Sequence, residues 1–576
     1  MATADSYEVA INQANISFGE NGAVLAEAGK VGPPRQPSTT TDIASSVNGV
    51  ANASATNQAQ VGILNSTVEV GLNGTVTASA VSDLAAKATT DSGNTTAVAA
   101  FQGPVGAIVN NGLAAAAPAS PDPGVDIQIG KNGVVKATVD TTAQAIARSI
   151  TGDSSASADV GPAAALYDIK LKAGEGTSLT ATTKVGLDAK AGLDPADSST
   201  NVTGNVVAQS GSRGSDGTRI AGIYDSGARA AGAAFGKSAS VSSTTQASLG
   251  ATAQTVTGNA EAGNGAELVA GIASDSPSSL DIQIGENGGL NAAAALDTTG
   301  SASTVSGDAH AKTEIGTVAG IVGKGTTVSI GLDGAVAASA VAANTAQASS
   351  TTAVDEVKAQ IDNDQVLGIA INKLSIGSDA TSLTSLASSA QTATAQLVGP
   401  GDPPTATAKV ASGDRVIGIA DTNVTIGENL TENANANLAR AILQGTASAQ
   451  GIGSPGNVTA KAGVGSQVAG LSGGSLSVGK NVLDPAGLGL GTIDAYATSV
   501  LNARATSVSG PTMAKAGSSG MQMGPASVEG ISMTPIKVGE SGKVSGLTSG
   551  GVNANASSVN ADAAAVGGLI SRGVYD

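Results

Sequence analysis

Residues 416–430 read VIGIADTNVTIGENL: an apolar strand start holding Gly-Ile, a short polar link, an apolar-x-apolar-Gly strand and an Asn-bearing turn. The same order of parts appears in VGILNSTVEVGLNG from Val61, VLGIAINKLSIGSD from Val366, VAGLSGGSLSVGKN from Val468 and VEGISMTPIKVGES from Val528. In these five stretches the first Gly precedes the strand-closing Gly by nine residues, as in Gly418 and Gly427. Self-similarity at fixed spacing is the mark of a repeat architecture.

The strand-closing glycines set the frame. They are Gly19, Gly71, Gly130, Gly285, Gly331, Gly377, Gly427, Gly479 and Gly539, with Gly174 and Gly227 as weaker matches between Gly130 and Gly285. The span 539 − 19 = 520 covers ten intervals, so the period averages 52 residues. Near the start, YEVAINQANISFGENG (7–22) keeps the nine-residue spacing, with Ala10 in place of the first Gly. At the other end AVGGLISRGVYD (565–576) opens a further unit. This predicts about eleven units in a single elongated array over 1–576: a first unit with a Pro-rich loop (1–60), early and degenerate units (61–267), regular units (268–440), and last units with a leftover strand (441–576).

Within a unit the alternation is that of half-buried strands. Val68, Val70, Val76, Ala78 and Ala80 fall at every second position around Asn73-Gly74, a pair that tolerates positive φ and so marks a turn. The predicted fold is all-β, a β-solenoid-like stack with few or no helices. Repeated antiparallel hairpins are the alternative, since Asn-Gly also closes hairpins. Three stretches stand outside the pattern. GPPRQPSTTT (32–41) and APASPDPG (117–124) read as loops, and TTAVDEVKAQIDND (351–364) has helical spacing at Val354, Val357 and Ile361, although a polar strand fits it too.

Composition narrows the function classes. The chain has 78 Gly, no Cys, no Trp, three Phe, five Tyr and one His, and a formal charge of −17. No thiol chemistry and no Cys-ligated metal follow from the first absence. The acidic balance and the lack of Lys/Arg clusters argue against nucleic acid. No run of apolar residues is long enough for a membrane span, and MATADSYEVAINQ lacks the basic start and apolar core of a classical signal peptide. A mean hydropathy of +0.13 argues against disorder.

No catalytic signature emerges. AGAAFGKS (231–238) approaches a phosphate-binding loop, but Ala231 stands where that motif has its first Gly. GKNG (130–133) and GEGTS (174–178) belong to the repeat frame, and GLGLGT (487–492) lacks the dinucleotide spacing. His310 is alone. No cofactor is expected, with Ca²⁺ the one open option through Asp362, Asp364 and the turn carboxylates Glu20, Glu286, Asp333 and Glu428. The Asn-x-Ser/Thr sequons at Asn65, Asn423 and Asn457 are expected by chance in such a composition, and the aromatic rings are scattered through the sequence.

What remains is a structural protein that works by shape and self-assembly. Its candidate assembly ends are the strand residues Val9, Ile11 and Ile16 at one end and Val566, Leu569 and Ile570 at the other, which would pair head to tail. The Gly/Ala/Ser/Thr/Val-rich, aromatic-poor, signal-less repeat resembles the fibrous appendage proteins of tailed bacteriophages, particularly those of marine cyanobacteria. The resemblance implies a homo-oligomeric virion-surface fibre serving host attachment, in contact with other virion or cell-surface proteins. The chain departs from a typical receptor-binding fibre in lacking a distinct globular tip. A bacterial cell-surface adhesin or extracellular sheath protein is the alternative, and a solenoid polysaccharide-degrading enzyme a lesser one.

Overall fold

The computed structural model describes residues 2–575 apart from 32–35, 110–125, 193–201, 214–216, 228–230, 276–279, 379–381, 400–403, 412–413, 428–436, 453–455, 464–465, 480–491, 518–525, 533 and 539–542. Four strand positions recur in each turn. A broad strand such as Thr75–Ser92 or Val134–Thr151 is followed by a first short strand (Thr95–Phe101, Ser154–Val160), a second (Val105–Val109, Ala163–Tyr167) and a third (Asp126–Ile129, Lys170–Ala173). Each strand pairs in parallel with its counterparts one turn away. Thr75–Ser92, for example, runs in register with Val134–Thr151, and that strand with Ser178–Gly192. The broad strands make a 13-stranded sheet, and the three short ladders lie side by side in a 28-stranded sheet.

This is a β-solenoid. Among the described residues eleven broad layers stack, with Ala23–Ala28 and Gln36–Asn48 sharing one layer. Every pairing is parallel except Lys30–Val31 against Gln36–Pro37, so the hairpin alternative does not hold. No helix occurs among the described residues, and in particular none long and apolar enough to cross a membrane.

Alternation explains the core. In Thr75–Ser92 the residues Val76, Ala78, Ala80, Leu84, Ala86 and Ala88 are buried, and their counterparts in every layer meet the inward residues of the short ladders in one continuous cluster. Most of these side chains are Ala, Val, Ile or Leu, so the two sheets approach closely and each turn relies on its neighbours for hydrogen bonding and burial.

Four sequence readings change. Residues 351–364 are not helical: Glu356–Ile376 is a strand that runs through all three short ladders, with Val357, Ala359 and Ile361 buried at period two. Residues 36–41 of the expected Pro-rich loop belong to the strand Gln36–Asn48. The degenerate region keeps the register, since Ala163–Tyr167 pairs with Arg219–Asp225, and Lys170–Ala173 with Gly232–Phe235. The closing glycine of that turn is therefore Gly236, which stacks on Gly174; Gly227 lies earlier, after the second short strand. The Pro-rich stretch 117–124 lies outside the described residues. The period varies locally, with 52 residues from Asn21 to Asn73, 59 from Asn73 to Asn132 and 44 from Lys131 to Glu175.

Candidate functional site

The predicted corner glycines share one role. The N–H of Gly71 donates to Phe18 O at 3.0 Å, Gly130 to Val70 O at 2.9 Å, Gly285 to Phe235 O at 3.1 Å, and Gly331, Gly377, Gly427 and Gly479 to the matching carbonyls at 2.9 Å. Each of these glycines lies against the turn before it. A Cβ on Gly71 would come within 2.8 Å of Gly19's carbonyl carbon, and one on Gly427 within 2.7 Å of Ser378 N. Only a residue without Cβ lets backbone rest on backbone at that distance. Gly539 lies outside the described residues. Two residues further on, Asn21, Asn73, Asn132, Asn287 and Asp333 adopt left-handed φ of 53–57°, which turns the chain from the third ladder into the broad sheet. The Asn-Gly pairs are solenoid corners. So is Gly236-Lys237-Ser238 of the phosphate-loop lookalike, where Ser238 has φ 55° and Lys237 pairs with Glu286.

The first Gly of the repeat does something different. In the second ladder the register skips one residue per turn, giving the stack Ala10, Gly62, Ala107, Ala165, Gly222, Gly271, Gly320, Gly368, Gly418, Gly470, Gly530 and Gly573. This is where the second ladder crosses the broad sheet. A Cβ on Gly271 would lie 2.7 Å from Ala293 N, on Gly320 2.7 Å from Ser339 N, on Gly418 2.7 Å from Arg440 N, and on Gly470 2.7 Å from Tyr496 N. On the broad side the facing stack is equally small: Ala78, Ala137, Ala181, Ser243, Ala292, Ala338, Ser385, Ala439 and Ala495. The cross-section is pinched into a waist. Backbone groups left unpaired by the skip bond to the broad strands: Ser243 Oγ donates to Gly271 O at 2.6 Å, and Ala165 N–H donates to Thr183 Oγ1 at 2.9 Å. The residue after the skip, such as Ile63, Ile272 or Ile419, enters the core, which is why the repeat reads Gly-Ile or Gly-Leu.

A second corner was missed in the sequence. Between the broad strand and the first ladder, Gly93, Gly152, Gly204, Gly258 and Gly307 have φ of 114–136°, and each is preceded by Ser or Thr and followed by Asn or Asp. The Asn/Asp side chains form a ladder. Asn94 Oδ1 accepts Asp153 N–H at 3.0 Å, Asp153 accepts Asn205 at 2.8 Å, Asn205 accepts Asn259 and Asn259 accepts Asp308 at 3.0 Å. Asp308 ends the run by accepting the N–H groups of Val354, Asp355 and Glu356 at 2.8–3.1 Å. The signal was present as Ser/Thr-Gly-Asn/Asp recurring after five successive broad strands, from Thr75–Ser92 to Gly289–Ser306.

The titratable groups that depart furthest from ordinary behaviour are buried. Tyr167 and Tyr224, far apart in sequence, meet edge to face with ring centres 5.0 Å apart, and burial raises both phenols well above the ordinary range. Beside them burial lifts Asp168 to about 6, against the hydrogen bonds from Ser226 and with help from the charge of Asp225. Asp168 accepts Ser226 N–H and Oγ–H at 2.6 Å each, Asp225 accepts Gly227 N–H at 2.9 Å, and Asp275 accepts from Tyr224 and Arg219. Inside the core, Asp414 is raised to about 8 by burial. Its Oδ2 accepts from Gln391 at 2.5 Å and its Oδ1 has no partner. Apart from Asp414 Oδ1, these carboxylates are acceptors met by backbone and side-chain donors.

The remaining candidates are dispersed. His310 Nε2 lies 4.0 Å from Glu356 and has no hydrogen-bond partner. Asp362 pairs with Lys409 at 3.0 Å and Asp364 with Arg213, while Glu286 is held by Lys237, Glu20 lies on an exposed corner, and Glu428 falls outside the described residues. Among the described residues no three His, Asp or Glu side chains are grouped to hold a metal. Asn65 is buried at a left-handed corner, whereas Asn423 is exposed and donates to Asn372 O. Val9, Ile11, Ile16 and Leu569 pack partly buried against the two ends of the stack, Ile570 is half-buried, and Val566 is exposed. No known protein family matches the chain, and no curated protein or solved structure is detectably similar to it.

Proposed function

We propose that this chain is a structural rod that builds a fibre on the exterior of a virion or cell. The observation that carries the reading is the use to which polar groups are put. Corner Asn and Asp bond to the next turn, waist Ser and Thr bond across the waist to the facing ladder, and the buried carboxylates accept from donors of their own or the next turn. At ~4.8 Å per layer, eleven layers give a rod about 50 Å long whose chemistry is spent on its own stacking. In this reading copies join by strand pairing, the strand that holds Val9 and Ile11 of one copy lying beside the strand that holds Leu569 and Ile570 of another, as exposed strand edges allow. No catalysis and no cofactor are assigned.

Negative-stain electron microscopy over a concentration series tests this. Filaments that lengthen with concentration are expected, and rods of fixed multiple length would still be fibre segments. Compact particles one rod long at every concentration would overturn the self-assembly and leave a monomeric adhesin as the better reading.

A further inference from the structure

Several positive charges on this surface are matched by a carboxylate on the same or a neighbouring turn. Lys131 meets Glu175 across one turn at 2.7 Å, Lys237 meets Glu286, Arg219 meets Asp275, and Lys312 meets Glu314 at 2.7 Å. In one place cations are stacked on one another instead. On the outward side of the first ladder the strands Thr405–Val410, Val458–Ala462 and Thr512–Ala516 bring Lys409, Lys461 and Lys515 directly opposite one another in successive turns. The three strands carry no acidic residue. Lys409 reaches back to Asp362 at 3.0 Å, but among the described residues Lys461 and Lys515 have no ion-pair partner. Like charges directly opposite on a sheet are destabilising. Lys461 shows this: partial burial and the charges of Lys515 and Lys409 hold its ammonium below the ordinary lysine range.

We propose that Lys409, Lys461 and Lys515 form a binding row for a linear acidic polysaccharide laid along the stacking axis, each ammonium meeting a carboxylate or sulfate. The row is one side chain wide and repeats every ~4.8 Å, a spacing comparable with one sugar residue of a polyuronate. Thr407 and Thr459, in register in the adjacent outward column, offer hydroxyls for ring oxygens and hydroxyls of the sugar. The rest of the molecule decides against wider polyanions. A chain of net charge −17 repels an anionic bilayer or a duplex that must cover a broad area, whereas a single thin polymer can follow the row alone. Single-stranded nucleic acid is held by aromatic stacking, and these strands contain no aromatic residue.

Calorimetric titration of the full chain with polygalacturonate at low salt, with neutral dextran as control, tests the site. The wild type should bind polygalacturonate and not dextran. The double variant Lys461→Gln/Lys515→Gln should bind about tenfold or more weakly, with a log K against log[salt] slope shallower by about two charges. Its thermal midpoint should be unchanged or higher, because a repulsion is removed, so weaker binding would not reflect unfolding. Lys461→Arg/Lys515→Arg should keep the binding. Absence of binding by the wild type, equal binding by the Gln variant, or tighter binding to anionic lipid vesicles or to oligo(dT) than to polygalacturonate would overturn the proposal.

Discussion

The waist and the Gly-Asx corner of this solenoid obey different rules. At the waist all twelve turns place Gly or Ala in the skipped position, whatever else changes around it. At the corner after the broad strand, the Gly-Asn/Asp pattern runs from Gly93 to Gly307 and then gives way, in the next turn, to Ala353-Val354-Asp355. The difference is what the varying group faces. At the waist the varying group would be a side chain at the skipped position, and where that position is Gly271, Gly320, Gly418 or Gly470 the main chain of the broad sheet lies 2.7 Å from an ideal Cβ. At the corner the glycine also rests on backbone, the carbonyl of the corner glycine one turn back, but the Asn or Asp side chain beside it faces water, which replaces a lost acceptor at little cost.

The sharpest way to break this contrast is to enlarge the waist. Gly418→Val would drive its side chain against Arg440 N on the broad strand and Gly470 O on the next turn, 2.7 and 2.6 Å from an ideal Cβ. Overpacking backbone against backbone should cost about 3 kcal/mol or more. Because a repeat array is a chain of nearest-neighbour interfaces, amide exchange should accelerate first in 366–371 and 467–472. Wild-type urea stability in this variant would mean that the pinch is not rigid.

A sealed corner lies between the two extremes. Asp414 sits between the first and second short strands, but its carboxyl turns into the core, where Asn363, Ser389 and Gln391 make a polar line. With the folded carboxyl raised to about 8 from an ordinary 3.8, the folded state retains a proton that the unfolded chain releases. Stability contributed here is therefore full below about pH 4, falls as pH rises towards 8, and levels off above it. Asp168, raised to about 6, adds a smaller effect of the same sign. Urea midpoints measured from pH 4 to 9 should decline for the wild type and decline less for Asp414→Asn, whose amide imitates the protonated acid. Parallel curves would show that Asp414 does not titrate in that window.

The same contrast explains what the sequence disclosed. The closing glycines were legible because backbone stacking leaves one permitted residue type per turn, and the Gly-Ile box because the waist leaves two. The turn holding Gly174 and Gly236 was obscure because 62 residues (236 − 174 = 62) separate its glycines and GIYDSG imitates the box. The helical reading of 351–364 failed because Val354, Val357 and Ile361 fit a spacing of three and four, while the alternation Val357-Ala359-Ile361 hid its middle member in an alanine. Long-range groupings could not be read at all. Tyr167 against Tyr224 and Lys461 against Lys515 depend on turn lengths of 57 and 54 residues (224 − 167 = 57; 515 − 461 = 54) that no single motif fixes.

The smallest effect should come from the open corner itself. Asn259 both donates its N–H to Asn205 Oδ1 and accepts Asp308 N–H on its own Oδ1, each at 3.0 Å. Asn259→Ala removes the acceptor and keeps the donor, so one backbone N–H, that of Asp308, loses its protein partner. In a buried setting an unsatisfied donor would cost about 1–3 kcal/mol, but here the bond is exposed and water can take the place of Oδ1, so a loss of about 0.5–1 kcal/mol is expected. The exchange rate of the Asp308 amide should rise while those of Val318 and Ile321, deep in the second ladder of the same turn, stay as they were. If that substitution instead cost as much as enlarging Gly418, the corner would be as constrained as the waist, and its drift beyond Gly307 would need a cause other than access to water.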